Sequence, residues 1–85
     1  MKDLSDYYRK RLLDADLTFQ EMKVFDLSKE GMSCKDISRE LVISYETTKR
    51  HRKNIIQKLG LSGKTAFRKF LFQYKEEETK LLLAG

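Results

Sequence analysis

The residues able to do chemistry crowd into one stretch of this 85-residue chain, between Tyr45 and Leu59. At 100° per residue, Thr48, Arg52, Ile55 and Leu59 fall on one side of a helix, with His51 and Ile56 at its edges. Glu46, Lys49, Arg50, Lys53 and Gln57 fall opposite, with Asn54 beside them. One face can pack while the other offers three cations together with amide and carboxylate groups. Such groups pair with base edges in the major groove of a duplex: Arg or Lys with guanine, Asn or Gln with adenine, a carboxylate with cytosine. On an average surface helix the same face is merely solvated. Chemistry of other kinds finds little support. One His and one Cys cannot make up the usual zinc ligand sets, and the chain has neither a Gly-rich phosphate loop nor a nucleophile elbow. His51, between Arg50 and Arg52, is badly set for a proton shuttle; it either fixes the helix or donates to a phosphate. No catalytic residue, metal site, cofactor or small-molecule ligand is expected, and no enzyme.

A reading helix is useful only if other elements seat it. Ser33 fits an N-cap with Asp36 three residues on, and Ile37 and Leu41 give a helix of about two turns its apolar side. Val42 and Ile43, β-branched and apolar, suit a buried turn. Ser44 is a second N-cap, and the next helix runs to about Leu59, where Gly60 ends it. Two short helices at a three-residue turn, with cations crowded on the second, favour the base-reading interpretation over the solvated one. Upstream, Thr18 and Glu21 form a capping box, Phe19, Met22, Phe25 and Leu27 supply an apolar side with Val24 as a further candidate, and Gly31 ends the helix. Glu21 has a rival role, orienting an arginine near a basic site; the capping role is simpler.

Two elements flank this core. Leu4, Tyr7, Tyr8, Leu12 and Leu13 recur at near-helical spacing, predicting a helix from Asp3 or Ser5 to Leu13. It either packs on the core, which would cover its tyrosines and leucines, or is the remnant of a connection to an upstream domain. After Gly60-Leu61-Ser62-Gly63, a last helix is predicted from Lys64 through Tyr74, with the Glu76–Glu78 run as a continuation. Ala66, Phe67, Phe70, Leu71 and Tyr74 share its core-facing side; Phe72 points the other way. The division is therefore 1–16 as an N-terminal helical extension, 17–75 as the domain, and 76–85 as a tail or helix extension.

Charge supports the same focus. The net charge of +5 is concentrated in residues 45–75, where nine Lys/Arg stand against Glu46; residues 1–44 and 76–85 are weakly acidic. A basic half behind a near-neutral half is the footprint of a polyanion binder. No apolar run approaches the roughly 18 residues of a membrane span, no signal peptide is evident, and no basic helix with exposed Trp suggests a membrane surface. A single Cys excludes an internal disulfide and fits a reducing compartment.

These residues resemble a known family. Leu17-Thr18-x-x-Glu21, Gly31-Met32-Ser33, Asp36-Ile37, Ile43-Ser44-x-x-Thr47-x-Lys49-x-His51, Ile55 and Lys58-Leu59-Gly60 look like the LuxR/FixJ-type helix-turn-helix domain, in order and spacing, from Leu17 to about Tyr74. Gln20, Ser38 and Thr48 depart from it, where the family has Arg, Ala and Val. The resemblance implies an all-α fold, a compact four-helix LuxR-like helix-turn-helix domain with an additional N-terminal helix. It also implies a cytoplasmic, nucleoid-associated transcription regulator that binds double-stranded DNA. Lys49, Arg50 and Lys53 would carry base contacts, tuned by Glu46, Asn54 and Gln57, with Thr47, His51, Arg52, Lys58 and Lys64 on phosphates. The last helix would be the contact of a homodimer, through Phe72, and RNA polymerase stands as a further partner. Two other readings fit the same residues: a sigma-factor region 4 module, and a protein-interaction module using Phe72 and Leu81–Leu83 with the basic face only solubilising.

Overall fold

Three successive helices begin where the sequence supplies a hydroxyl. In the computed structural model, Thr18 Oγ1 accepts from the Glu21 N–H at 3.2 Å while Glu21 Oε1 accepts from the Thr18 N–H at 2.9 Å, completing the capping box. Ser33 Oγ accepts from the Asp36 N–H at 3.2 Å, and Ser44 Oγ from the Thr47 N–H at 3.0 Å. Backbone is described for residues 4–84 and side chains for residues 6–83. Among these, the chain is all-α: α1 (Leu4–Ala15), α2 (Phe19–Lys29), α3 (Cys34–Leu41), α4 (Tyr45–Lys58) and α5 (Lys64–Ala84). The alternative helix start at Asp3 and the side chain of Leu4 lie outside the described residues.

The ends of α2, α3 and α4 share one solution. After α4, the Gly60 N–H donates to the Gln57 carbonyl and the Leu61 N–H to the Ile56 carbonyl, both at 3.0 Å, with Gly60 at φ 69°. Gly31, at φ 90°, closes α2 the same way. This closure needs a left-handed residue, which glycine adopts without strain. After α3 the same two bonds run from Val42 to Arg39 and from Ile43 to Ser38, but the left-handed residue is Val42, at φ 54°. The expectation of a buried turn is corrected here: Val42 is 88% exposed and Ile43 half-buried. The left-handed backbone that closes α3 turns the valine side chain out to solvent.

The core comprises Leu12, Val24, Phe25, Ile37, Ile55, Leu59, Phe67, Phe70 and Leu71. Phe25 sits at its centre, edge-on to Tyr74 at 5.4 Å and to Phe70 at 6.3 Å. Phe19, expected on the apolar side of α2, is instead 74% exposed, with Lys23 Nζ 4.5 Å above its ring. Its position lies about 120° around the helix from Phe25, whereas Glu21 lies within about 40° of it and is buried. Helix α4 packs on α2 and α3, and α5 on α1 and α2. The N-terminal helix therefore packs, with Tyr8 edge-on to Phe70 at 5.3 Å and Leu12 buried, although Leu13 faces solvent.

Helix α5 runs ten residues past Tyr74, to Ala84. Lys29 bonds Glu78 at 3.0 Å and Lys75 bonds Glu30 at 2.7 Å, tying the end of α2 to this extension, while Glu77 is buried beside Tyr8 and Arg9 of α1. Burial opposes the charge of Lys29, but the carboxylates of Glu78 and Asp26 outweigh it and hold its pKa above 10.5.

Candidate nucleic-acid interface

Helix α4 is seated from its inner face. Thr48 and Ile55 are fully buried and Leu59 nearly so. The Thr48 hydroxyl donates to the Ser44 carbonyl at 3.0 Å, so a polar group in the core is satisfied within its own turn. Ser38 uses the same device one helix earlier, its buried hydroxyl donating to the Lys35 carbonyl at 2.7 Å.

The opposite face is open. Glu46, Lys49, Arg50, Lys53 and Gln57 are exposed and Asn54 is half-buried. Lys49 Nζ lies 5.1 Å from the centre of the Tyr45 ring, which holds the ammonium near the first turn of the helix. An open groove of about 1270 Å³ runs along this side of α4, between the start of α3 and the start of α5. Seven cations line it: Lys35, Lys49, Arg50, Arg52, Lys53, Lys64 and Arg68, against the single carboxylate of Glu46. Among the residues expected to touch a backbone, Lys64 is brought to this groove as the first residue of α5. Thr47, His51 and Lys58 lie outside it. Lys35 and Arg68 were missed by sequence reasoning. Each follows a usable signal: Lys35 stands two residues after the Ser33 cap, and Arg68 one turn beyond Lys64.

Two of the cations expected on phosphates already have partners inside the fold. The Arg52 guanidinium is 5.5 Å from the Phe67 ring centre and its Nη1 donates to Cys34 Sγ at 3.4 Å, while its Nε is buried without a hydrogen-bond partner. Lys58 Nζ donates to Glu21 Oε1 at 2.6 Å. Glu21 thus combines the two roles weighed for it, capping α2 and holding a cation of α4, although that cation is a lysine. Burial pushes its carboxyl up, but the bonds from Lys58 and from the Thr18 N–H outweigh this and leave it below 4.5. Thr47 is half-buried and its Oγ1 accepts from Ser44 Oγ at 2.8 Å; His51 is half-buried as well. Phe72 is 63% exposed on α5.

Among the described residues, no group of three or more His, Cys, Asp or Glu could hold a metal ion, and no helix is long and apolar enough to cross a membrane.

A short helix, a three-residue turn and a second helix seated on the first, cationic on its outer face, define a helix-turn-helix domain. Residues 15–70 match the profile of the family described as bacterial regulatory proteins, luxR family. The chain is 42% identical over 64 residues to the transcriptional regulatory protein TdiR of Thauera aromatica, covering 74% of this chain and 28% of TdiR. It is 41% identical over 49 residues to the spore germination protein GerE of Bacillus subtilis (strain 168), covering 58% of this chain and 66% of GerE. The chain thus spans less than two thirds of either relative, and no solved structure matches it significantly. It belongs to the luxR family of bacterial regulatory proteins.

Proposed function

We propose that the chain binds double-stranded DNA sequence-specifically as a bacterial transcription regulator, with α4 lying in the major groove. The observation that carries this reading is the groove along α4, where seven cations converge from three helices on the face that exposes Lys49, Arg50 and Lys53. Family membership and the likeness to TdiR, a transcriptional regulatory protein, support it. Lys49, Arg50 and Lys53 meet base edges, with Glu46, Asn54 and Gln57 adjusting the choice. Lys64, with Thr47 and His51, holds phosphates and sets the register. Lys35 and Arg68 extend that track. Lys58 and Arg52 act mainly inside the fold, because Glu21, Cys34 and Phe67 already engage them. A homodimer forms through the face of α5 that carries Phe72, presenting two copies of α4 to a two-fold site.

Selection of bound fragments from random duplex, followed by titrations on the selected and a random duplex at several salt concentrations, tests the reading. With ~4–6 phosphates neutralised per protomer, log K falls with log salt at a slope of about −4 to −5. Lys49→Ala or Arg50→Ala loses about 1–3 kcal/mol on the selected duplex and relaxes base choice there. Lys64→Ala weakens both duplexes alike and lowers the slope by about one. A flat salt response removes the DNA reading, and identical behaviour of all three variants removes the assignment of faces.

A further inference from the structure

The far end of the reading helix is held by a residue outside the matched region. Helix closure uses the last carbonyls of α4 in order: Ile55 accepts from Leu59, Ile56 from Leu61 and Gln57 from Gly60. The Leu59 carbonyl lies beyond these bonds, and Nη2 of Arg11, from α1, donates to it. A cation here also complements the negative end of the helix dipole. Arg11 is itself held by two aromatic residues. Its Nη1 donates to Tyr7 Oη at 2.9 Å, and its guanidinium carbon lies 5.7 Å from the ring centres of both Tyr7 and Phe70. Tyr8 packs edge-on against the same Phe70, and the buried Leu12 fixes the next turn of α1.

From this geometry we infer that Arg11 is a positioning residue for base reading: it bolts the C-terminal end of α4 to α1 and α5. The inference rests on the proposed role of α4 in DNA. The residues from Glu46 to Gln57 span about 16 Å of helix axis, and base contacts need that whole length in register. The N-terminal end is set by the Ser44 cap and by Thr48. Slack at the other end displaces Lys53 and Gln57 most. Binding to random DNA needs charge near phosphates rather than registered contacts, so it tolerates such slack.

The test uses the full chain carrying Arg11→Met or Arg11→Lys. Arg11→Met weakens binding to the selected duplex by about 5–10-fold and to random duplex by less than about twofold, with the salt slope unchanged; Arg11→Lys restores part of the loss. Without DNA, amide exchange at residues 57–61 quickens by about tenfold in Arg11→Met while Val24 and Phe25 keep their protection. Equal losses on both duplexes with a shallower salt slope overturn the inference, because Arg11 is then a phosphate contact. Unchanged exchange at 57–61 overturns it too, and so does uniform acceleration that includes Val24 and Phe25. A wild-type chain that binds no duplex removes the DNA reading instead, and the exchange data then decide alone whether Arg11 fixes the end of α4.

Discussion

Thr48 stands where the resemblance places valine, and its fully buried side chain shows how a hydroxyl is tolerated there. The Ser44 carbonyl that accepts this hydroxyl also accepts the Thr48 N–H at 3.0 Å, so replacing the hydroxyl leaves no orphaned acceptor. Thr48→Val therefore exchanges one modest bond for a methyl group. Stability should stay level or rise by up to ~1 kcal/mol, with DNA affinity unchanged. Thermal melts with and without DNA check this, and a clear loss of stability would mean that the hydroxyl does more than bond back one turn. Val42 presents the opposite case, a β-branched residue in a left-handed backbone with its side chain in water. Val42→Asn relieves that strain and loses almost no packing, so urea unfolding should show a gain of about 1 kcal/mol. A loss would mean that the valine methyl groups have a partner.

At the scale of elements, Glu21 joins the start of α2 to the end of α4, and acid should loosen this joint. Its folded pKa lies below its ordinary value of 4.5, so its stabilising contribution is complete above that value. The contribution is lost as pH falls through the folded value. Glu21→Gln should therefore be less stable than the wild type at pH 7, and the gap should narrow as pH falls below 4.5. Urea unfolding of both proteins across this range measures it; a gap that stays constant would show that charge on Glu21 contributes nothing. The same bond makes Lys58 a poor probe of phosphate contact, since Lys58→Ala strands a buried carboxylate and destabilises the fold for reasons unrelated to DNA. The extension of α5 follows similar logic. Lys29–Glu78 and Lys75–Glu30 link it to the end of α2, and α1 covers another of its sides.

At the scale of the whole molecule, seven cations gather along α4 and the starts of α3 and α5, while Phe72 is exposed on α5. If Phe72 is the homodimer contact, Phe72→Asp should abolish cooperative binding to a two-fold site yet leave binding to a single half-site within about twofold, since exposed substitutions rarely disturb the monomer. Gel-shift titrations on both duplexes distinguish this, and intact cooperativity would move the dimer contact elsewhere. By itself the sequence determined whatever depends on neighbours within about one turn. The caps at Thr18, Ser33 and Ser44, the glycine ends at Gly31 and Gly60, and the two faces of α4 all follow from hydrogen bonds and angular spacing over three to six residues. The tertiary structure alone decided the pairings across long separations. Arg11 meets Leu59 across 48 residues, Lys58 meets Glu21 across 37, and Lys29 meets Glu78 across 49. It also decided that α5 continues beyond the Glu76–Glu78 run, to Ala84. No local periodicity encodes such partners, because each depends on where packing of the core brings the end of one helix against the side of another.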